Sequence, residues 1–135
     1  MNILVLGGCG FIGSFLVKRL QEEHNVIIYD RCEPAYEFNG KCIIGNFAEE
    51  QGFYEILVEN QVELVFHLIS TALPSDSTQM IEQEIMTNVI PSVRLFEAMV
   101  KANVRRLIFS CILFTSSKKI RANKSKGTSL LAVPP

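Results

Sequence analysis

The glycine-rich segment Gly7-Gly8-Cys9-Gly10-Phe11-Ile12-Gly13 constrains the fold more than any other feature of this chain. It follows the apolar run Ile3-Leu4-Val5-Leu6 directly and opens a stretch with helical spacing of Phe11, Ile12, Phe15, Leu16 and Leu20. A strand, a glycine-rich turn and an amphipathic helix in that order make a phosphate cradle. One glycine permits the tight turn, a second lets the backbone approach a diphosphate, a third lets helix and strand pack, and the first N–H groups of the helix face the anion. A glycine turn alone also serves plain packing. Here a further condition is met: an acid stands about 20 residues on. It is Asp30, at the end of the run Val26-Ile27-Ile28-Tyr29, where its carboxylate can accept hydrogen bonds from a ribose. The ligand expected from this pattern is a dinucleotide.

Apolar runs then alternate with helical patterns, the signature of a parallel sheet wrapped by helices. Strands are predicted over 2–6, 25–30, 42–44, 64–68 and 107–109, and helices over 11–23, 48–59 and 79–102. The third helix carries Ile81, Ile85, Val89, Val93, Phe96 and Val100 at three- and four-residue steps, which reads as one buried stripe. Pro91 lies inside it and is expected to kink or weaken it, since proline lacks the N–H and its ring opposes the regular ladder. These elements predict a doubly wound α/β domain of the Rossmann type, with about five parallel strands in the order 3-2-1-4-5 and helices on both faces.

The 135 residues match one domain, with 48% hydrophobic residues and a net charge of −1. No run is long and apolar enough to span a membrane, and the amino terminus lacks the pattern of a signal peptide, so a cytoplasmic location and no membrane partner are expected. Cys9, Cys32, Cys42 and Cys111 form no Cys-x-x-Cys pair, and His24 and His67 lie at no ligand-like spacing from them. Reduced thiols and no metal are expected. Residues 1–104 hold 6 basic and 14 acidic side chains, whereas 105–135 hold 7 basic and none acidic. That tail lacks aromatic residues interleaved for base stacking, so no nucleic-acid partner is expected. Residues 115–135 are polar without an apolar face and read as a poorly ordered tail to a domain over 1–114.

With those residues placed, the chain resembles the amino-terminal part of the extended short-chain dehydrogenase/reductases, in the NAD-dependent epimerase/dehydratase family. The resemblance covers about residues 1–110. Gly7, Gly10, Phe11, Ile12 and Gly13 match the family's Gly-x-x-Gly-Phe-Ile-Gly turn, and Asp30 with Arg31 occupies its adenosine-ribose position. Val65-Phe66-His67-Leu68, Thr87-Asn88-Val89 and Arg106-Leu107-Ile108-Phe109-Ser110 resemble later family segments. Leu6 stands where Thr is usual, Asn46 where an Asp contacts adenine, and Pro91 where Gly is usual. Ile69-Ser70-Thr71 replaces small alanines beside the expected nicotinamide-side phosphates.

The resemblance implies NAD as cofactor, a nucleotide-sugar substrate in full-length relatives and a homodimer packed through helices that include the long one. It places cofactor contacts at Gly7, Gly10, Phe11, Ile12, Gly13, Asp30, Arg31, Asn46, Phe47, Leu68, Ile69, Ser70 and Asn88. NAD is favoured over NADP because the Asp30 charge repels a 2′-phosphate, with Arg31 adjacent. The family's catalytic Tyr-x-x-x-Lys pair, in which tyrosinate is the base and Lys lowers its pKa, has no counterpart. The three tyrosines, Tyr29, Tyr36 and Tyr54, are followed four residues on by Glu33, Gly40 and Val58. Cys111 or Ile112 stands at the family's Ser position. His67 reads as a structural residue near the crevice and Cys9 as a small filler of the turn. The expectation is a catalytically incompetent amino-terminal part, shifted out of frame near residue 110. Its rivals are an idle dinucleotide-sensing module and a non-functional fragment.

Overall fold

A computed structural model describes residues 1–70 and 79–110. Five parallel strands form one sheet in the order β3-β2-β1-β4-β5: β1 Asn2–Leu6, β2 Asn25–Asp30, β3 Lys41–Ile44, β4 Leu64–His67 and β5 Leu107–Phe109. The predicted strand order is therefore observed. Register pairs Leu6 with Tyr29 and with His67, Asp30 with Ile44, and His67 with Phe109. All five carboxyl ends thus share one edge, where ligands bind in open α/β sheets.

Alternation along the central strands sorts the core into two layers. Ile3, Val5, Val26 and Ile28 point to one face and meet Val17 of helix α1, Phe11–Leu20. Leu4, Leu6, Ile27, Tyr29 and Val65 point to the other. There they meet Phe53 and Leu57 of α2, Phe53–Glu59, and Leu95, Ala98 and Met99 of a later helix. Because both faces of β1 and β2 are covered, these strands are apolar without a polar alternate. Each fully buried Leu or Ile contributes about 1.5–3 kcal/mol relative to exposure.

Two helices are shorter than the periodicity predicts. Helix α1 stops at Leu20 and α2 begins only at Phe53. Ahead of α2, the Glu50 carboxylate accepts the backbone N–H groups of Gln51 (3.0 Å) and Gly52 (2.7 Å), so a side-chain turn competes with helix over those residues.

The long helix is three pieces: α3 Gln79–Glu84, a π-helical turn Ile85–Val89, and α4 Ile90–Lys101. Pro91 lies in the first turn of α4, where a missing N–H is harmless. The widened turn before it relieves the clash that proline causes in a regular ladder, so the expected weakening takes the form of a π-turn.

The predicted stripe is corrected. Ile85, Val89, Val93 and Val100 are exposed, Val100 at 80%, and Phe96 is exposed at 36%, while α4 buries Pro91, Ser92, Leu95, Ala98 and Met99 instead. The helix has two apolar faces, and the sheet takes the other one. Phe11, Ile12 and Phe15 are likewise exposed, with the rings of Phe11 and Phe15 edge to face at 5.4 Å. Strand β5 is exposed throughout. No helix among the described residues is long and apolar enough to cross a membrane. The expected tail over 115–135 and the position of Cys111 and Ile112 lie outside the described residues.

Candidate functional site: a crevice at the carboxyl edge of the sheet

The glycine turn begins where β1 ends. Gly7 has φ +87°, a left-handed conformation that side chains disfavour, and its N–H donates to the Tyr29 carbonyl at 2.9 Å. That bond ties the turn to the neighbouring strand. The Gly10 N–H reaches back to the Gly7 carbonyl (3.2 Å), and the first helical bond of α1 runs from Ser14 N–H to Gly10 C=O (2.9 Å). The N–H groups of Phe11, Ile12 and Gly13 precede that bond and carry the positive end of the helix dipole. Their side chains have other roles: Phe11 and Ile12 face outward, and Gly13 is buried. A Cβ on Gly13 would collide with the Gly7 carbonyl oxygen and Gly8 Cα, so this glycine is the close contact between helix and turn. Around Gly10 a Cβ would meet only the Gly7 oxygen, at 3.3 Å, which leaves bare backbone open to a ligand.

Asp30 stands beside this turn. Its Oδ2 accepts the Cys9 N–H at 2.8 Å and its Oδ1 accepts the Arg31 N–H at 2.7 Å. Each carboxylate oxygen keeps acceptor capacity for a ligand hydroxyl. A cavity of about 500 Å³ opens here, lined by Gly7, Cys9, Gly10, Asp30, Arg31, Cys32, Gly45, Phe47, Leu68, Ile69 and Ser70. Strand ends, which only the sheet brings together, supply its walls.

Of the sequence-predicted contacts, Gly7, Gly10, Asp30, Arg31, Phe47, Leu68, Ile69 and Ser70 line that cavity. Phe11, Ile12 and Gly13 lie on its helical border. Asn46 does not line it: its Oδ1 accepts the Ala48 N–H at 3.3 Å, a local turn that occupies the amide. Asn88 lies in the π-turn, and its carbonyl accepts the Ser92 hydroxyl at 2.6 Å. Cys32 and Gly45 line the cavity without having been singled out, and Cys9 does so beyond its filler role. Their neighbourhood follows from β1–β2–β3 pairing, which no local motif announces.

Cys9, Tyr36 and Tyr29, which stand at or near the cavity, are held neutral. Burial, then the charge of Asp30, then Cys32 and Cys42, push the Cys9 thiol up to about 12. Its S–H lies 3.1 Å from the Cys32 carbonyl. It is therefore no thiolate nucleophile, despite its place before a helix. Tyr36 is pushed up to about 12, mainly by burial; its hydroxyl donates to the Gly8 carbonyl at 2.8 Å, and Lys18 sits over its ring. Burial and the neighbouring Glu50, which accepts its hydroxyl at 2.9 Å, push Tyr29 up as well. A tyrosine base needs the opposite shift.

His67 is buried behind the cavity, with the rings of Phe47 and Phe109 each 4.8 Å from its own. Its Nε2 lies 3.0 Å from Ser92 Oγ. Since the Ser92 hydroxyl hydrogen goes to Asn88, Nε2 carries the proton and donates. Burial lowers the His67 pKa to about 4, so the ring is neutral and structural.

The model of the family described as "NAD dependent epimerase/dehydratase family" matches residues 3–124. The chain belongs to the NAD-dependent epimerase/dehydratase family. A UDP-glucose 4-epimerase of Lactobacillus helveticus is 30% identical over 115 residues, covering 82% of this chain and 35% of that protein. One from Klebsiella pneumoniae is 34% identical over 122 residues, covering 82% of this chain and 88% of that sequence. Among solved structures, the UDP-glucose 4-epimerase of Thermotoga maritima with UDP-glucose is 32% identical with a TM-score of 0.68, covering 81% of this chain and 37% of that one. The enzyme from Stenotrophomonas maltophilia, solved with NAD and formylated UDP-arabinopyranose, is 26% identical with a TM-score of 0.68, covering 81% of this chain and 36% of that one. This family member thus spans about a third of the length of most relatives it matches.

Proposed function

We propose that this chain binds NAD in the crevice between the glycine turn and β4, as the dinucleotide-binding part of an epimerase acting on nucleotide sugars. The observation that carries the reading is the pairing of a bare-backbone cradle at Gly7 and Gly10 with the Asp30 carboxylate beside the same cavity. A side chain at either glycine would narrow the space a diphosphate needs.

The division of work follows from charge and position. The first N–H groups of α1, at Phe11, Ile12 and Gly13, donate to the diphosphate. Asp30 accepts from the adenosine ribose, and Arg31, exposed at the rim, stands where the adenine end emerges. Leu68, Ile69 and Ser70 after β4 wall the nicotinamide side. Phe47 closes the floor with an apolar ring. When bound, NAD would accept a hydride from a sugar carbon and return it.

The chain's own residues do not complete epimerisation. No Tyr-x-x-x-Lys pair occurs in the 135 residues. Both tyrosines near the crevice, Tyr29 and Tyr36, are spent on structural hydrogen bonds. The reading is a cofactor-binding unit whose base and sugar site come from elsewhere. It includes a homodimer packed through the exposed face of α4, where Val93 and Val100 lie uncovered.

Isothermal titration of the purified chain with NAD and NADP tests this. Saturable NAD binding with weaker NADP binding is expected, and no turnover of UDP-galactose. Absence of any heat with NAD at millimolar concentration would leave the reading without support, and turnover would contradict the missing base.

A further inference from the structure

The sheet register places three metal-binding side chains together that the sequence holds apart. Cys9 sits in the glycine turn after β1, and Asp30 and Cys32 at and just past the end of β2. Their ligand atoms, two thiol sulfurs and a carboxylate oxygen, all lie within 4.8 Å of one another. Two donors on one tetrahedral zinc-class ion, with metal–sulfur bonds near 2.3 Å, stand about 3.8 Å apart. A small change of rotamer at exposed Cys32 closes the difference.

A divalent cation displaces the thiol protons to solvent as it binds. Two sulfurs favour a thiophilic ion of the zinc class over magnesium or calcium, which take oxygen donors. The adjoining cavity of about 500 Å³ leaves the fourth coordination position to water.

We propose that Cys9, Asp30 and Cys32 form a three-ligand site for a thiophilic divalent cation, and that filling this site blocks dinucleotide binding. The second half rests on the NAD reading above, because Asp30 is the group both ligands require. With its carboxylate on the metal, it no longer accepts from a ribose, and the ion stands at the cavity wall.

Cobalt(II) is the probe, titrated without oxygen into the full chain held reduced by a phosphine. One cobalt per chain is expected, with sulfur-to-cobalt charge-transfer absorption, displaced by zinc. Cys9→Ser and Cys32→Ser should each weaken binding about tenfold or more, whereas Cys42→Ser keeps it. Cys32 is exposed, so its variant retains the fold, checked by circular dichroism. Independently, zinc should protect Cys32 of the unaltered protein from alkylation, read by mass spectrometry.

No charge-transfer band, a band undiminished in the double Cys9→Ser/Cys32→Ser variant, or unprotected Cys32 would overturn the site. NAD is titrated separately into chelator-treated and zinc-saturated protein, with affinity at least about tenfold lower in the second expected. Equal affinity overturns the blocking. Cobalt binding without any NAD binding would sink the dinucleotide reading and leave the cation site standing.

Discussion

Gly13 and Asp30 separate packing from the proposed recognition at the scale of single residues. A methyl group on Gly13 meets the Gly7 carbonyl and Gly8 Cα, both backbone, so the turn itself must move. Gly13→Ala is expected to destabilise the fold by about 1–3 kcal/mol, read as a lower denaturant midpoint. NAD affinity falls with it, since the turn carries the cradle. Asp30→Asn keeps the size and one acceptor but loses the charge. It should weaken NAD binding about tenfold, or roughly 1.4 kcal/mol, and narrow the preference for NAD over NADP in isothermal titration. Loss of discrimination beyond what the one lost backbone acceptor costs in stability separates recognition from packing.

Between elements, the contact from β4 to α4 includes one buried polar pair. His67 Nε2–H donates to Ser92 Oγ (3.0 Å), and Ser92 in turn donates to the Asn88 carbonyl of the π-turn. Ser92→Ala leaves the imidazole N–H buried without that acceptor. The expected cost is about 1–3 kcal/mol, seen in chemical denaturation. Protonation attacks the same junction. With a folded pKa of about 4 against 6.5 for the free side chain, the unfolded chain binds more protons between those values. The stabilisation from neutral His67 is therefore full above pH 6.5 and declines as pH falls toward 4. Between pH 6.5 and 5 ordinary carboxylates remain ionised, so a loss of stability in that window belongs to histidine. His67→Gln should flatten the profile there, measured by thermal melts across pH.

At the scale of the whole molecule, one side carries apolar surface that the described residues leave uncovered. Val89, Val93 and Val100 of the helical segment and all of β5 are exposed. A groove of about 450 Å³ beside them is lined by Phe96, Met99, Val100, Val104 and Leu107 among others. A contiguous apolar face of this kind associates in water. Sedimentation velocity is expected to show a mass that rises with protein concentration. The double substitution Val93→Glu/Val100→Lys should restore the monomer at a cost within about 0.5 kcal/mol, because both side chains are already solvated. A concentration-independent monomer in the unaltered chain would contradict the proposed homodimer.

Local order was legible in the residues themselves: where strands alternate with helices, that the glycine turn follows β1, and that Asp30 closes β2. Each depends on neighbours a few positions apart, so spacing suffices. Which apolar face of α4 meets the sheet was not legible, because helical periodicity marks two stripes, Val89/Val93/Val100 and Leu95/Ala98/Met99, and fixes no direction in space. Docking against Leu4, Leu6 and Val65 selected the second. Likewise Pro91 announced an interruption, but not that it takes the form of a π-helical turn over Ile85–Val89. The meeting of Cys9 with Cys32 was decided by tertiary structure alone. It depends on the parallel pairing of β1 with β2, a relation between residues far apart along the chain.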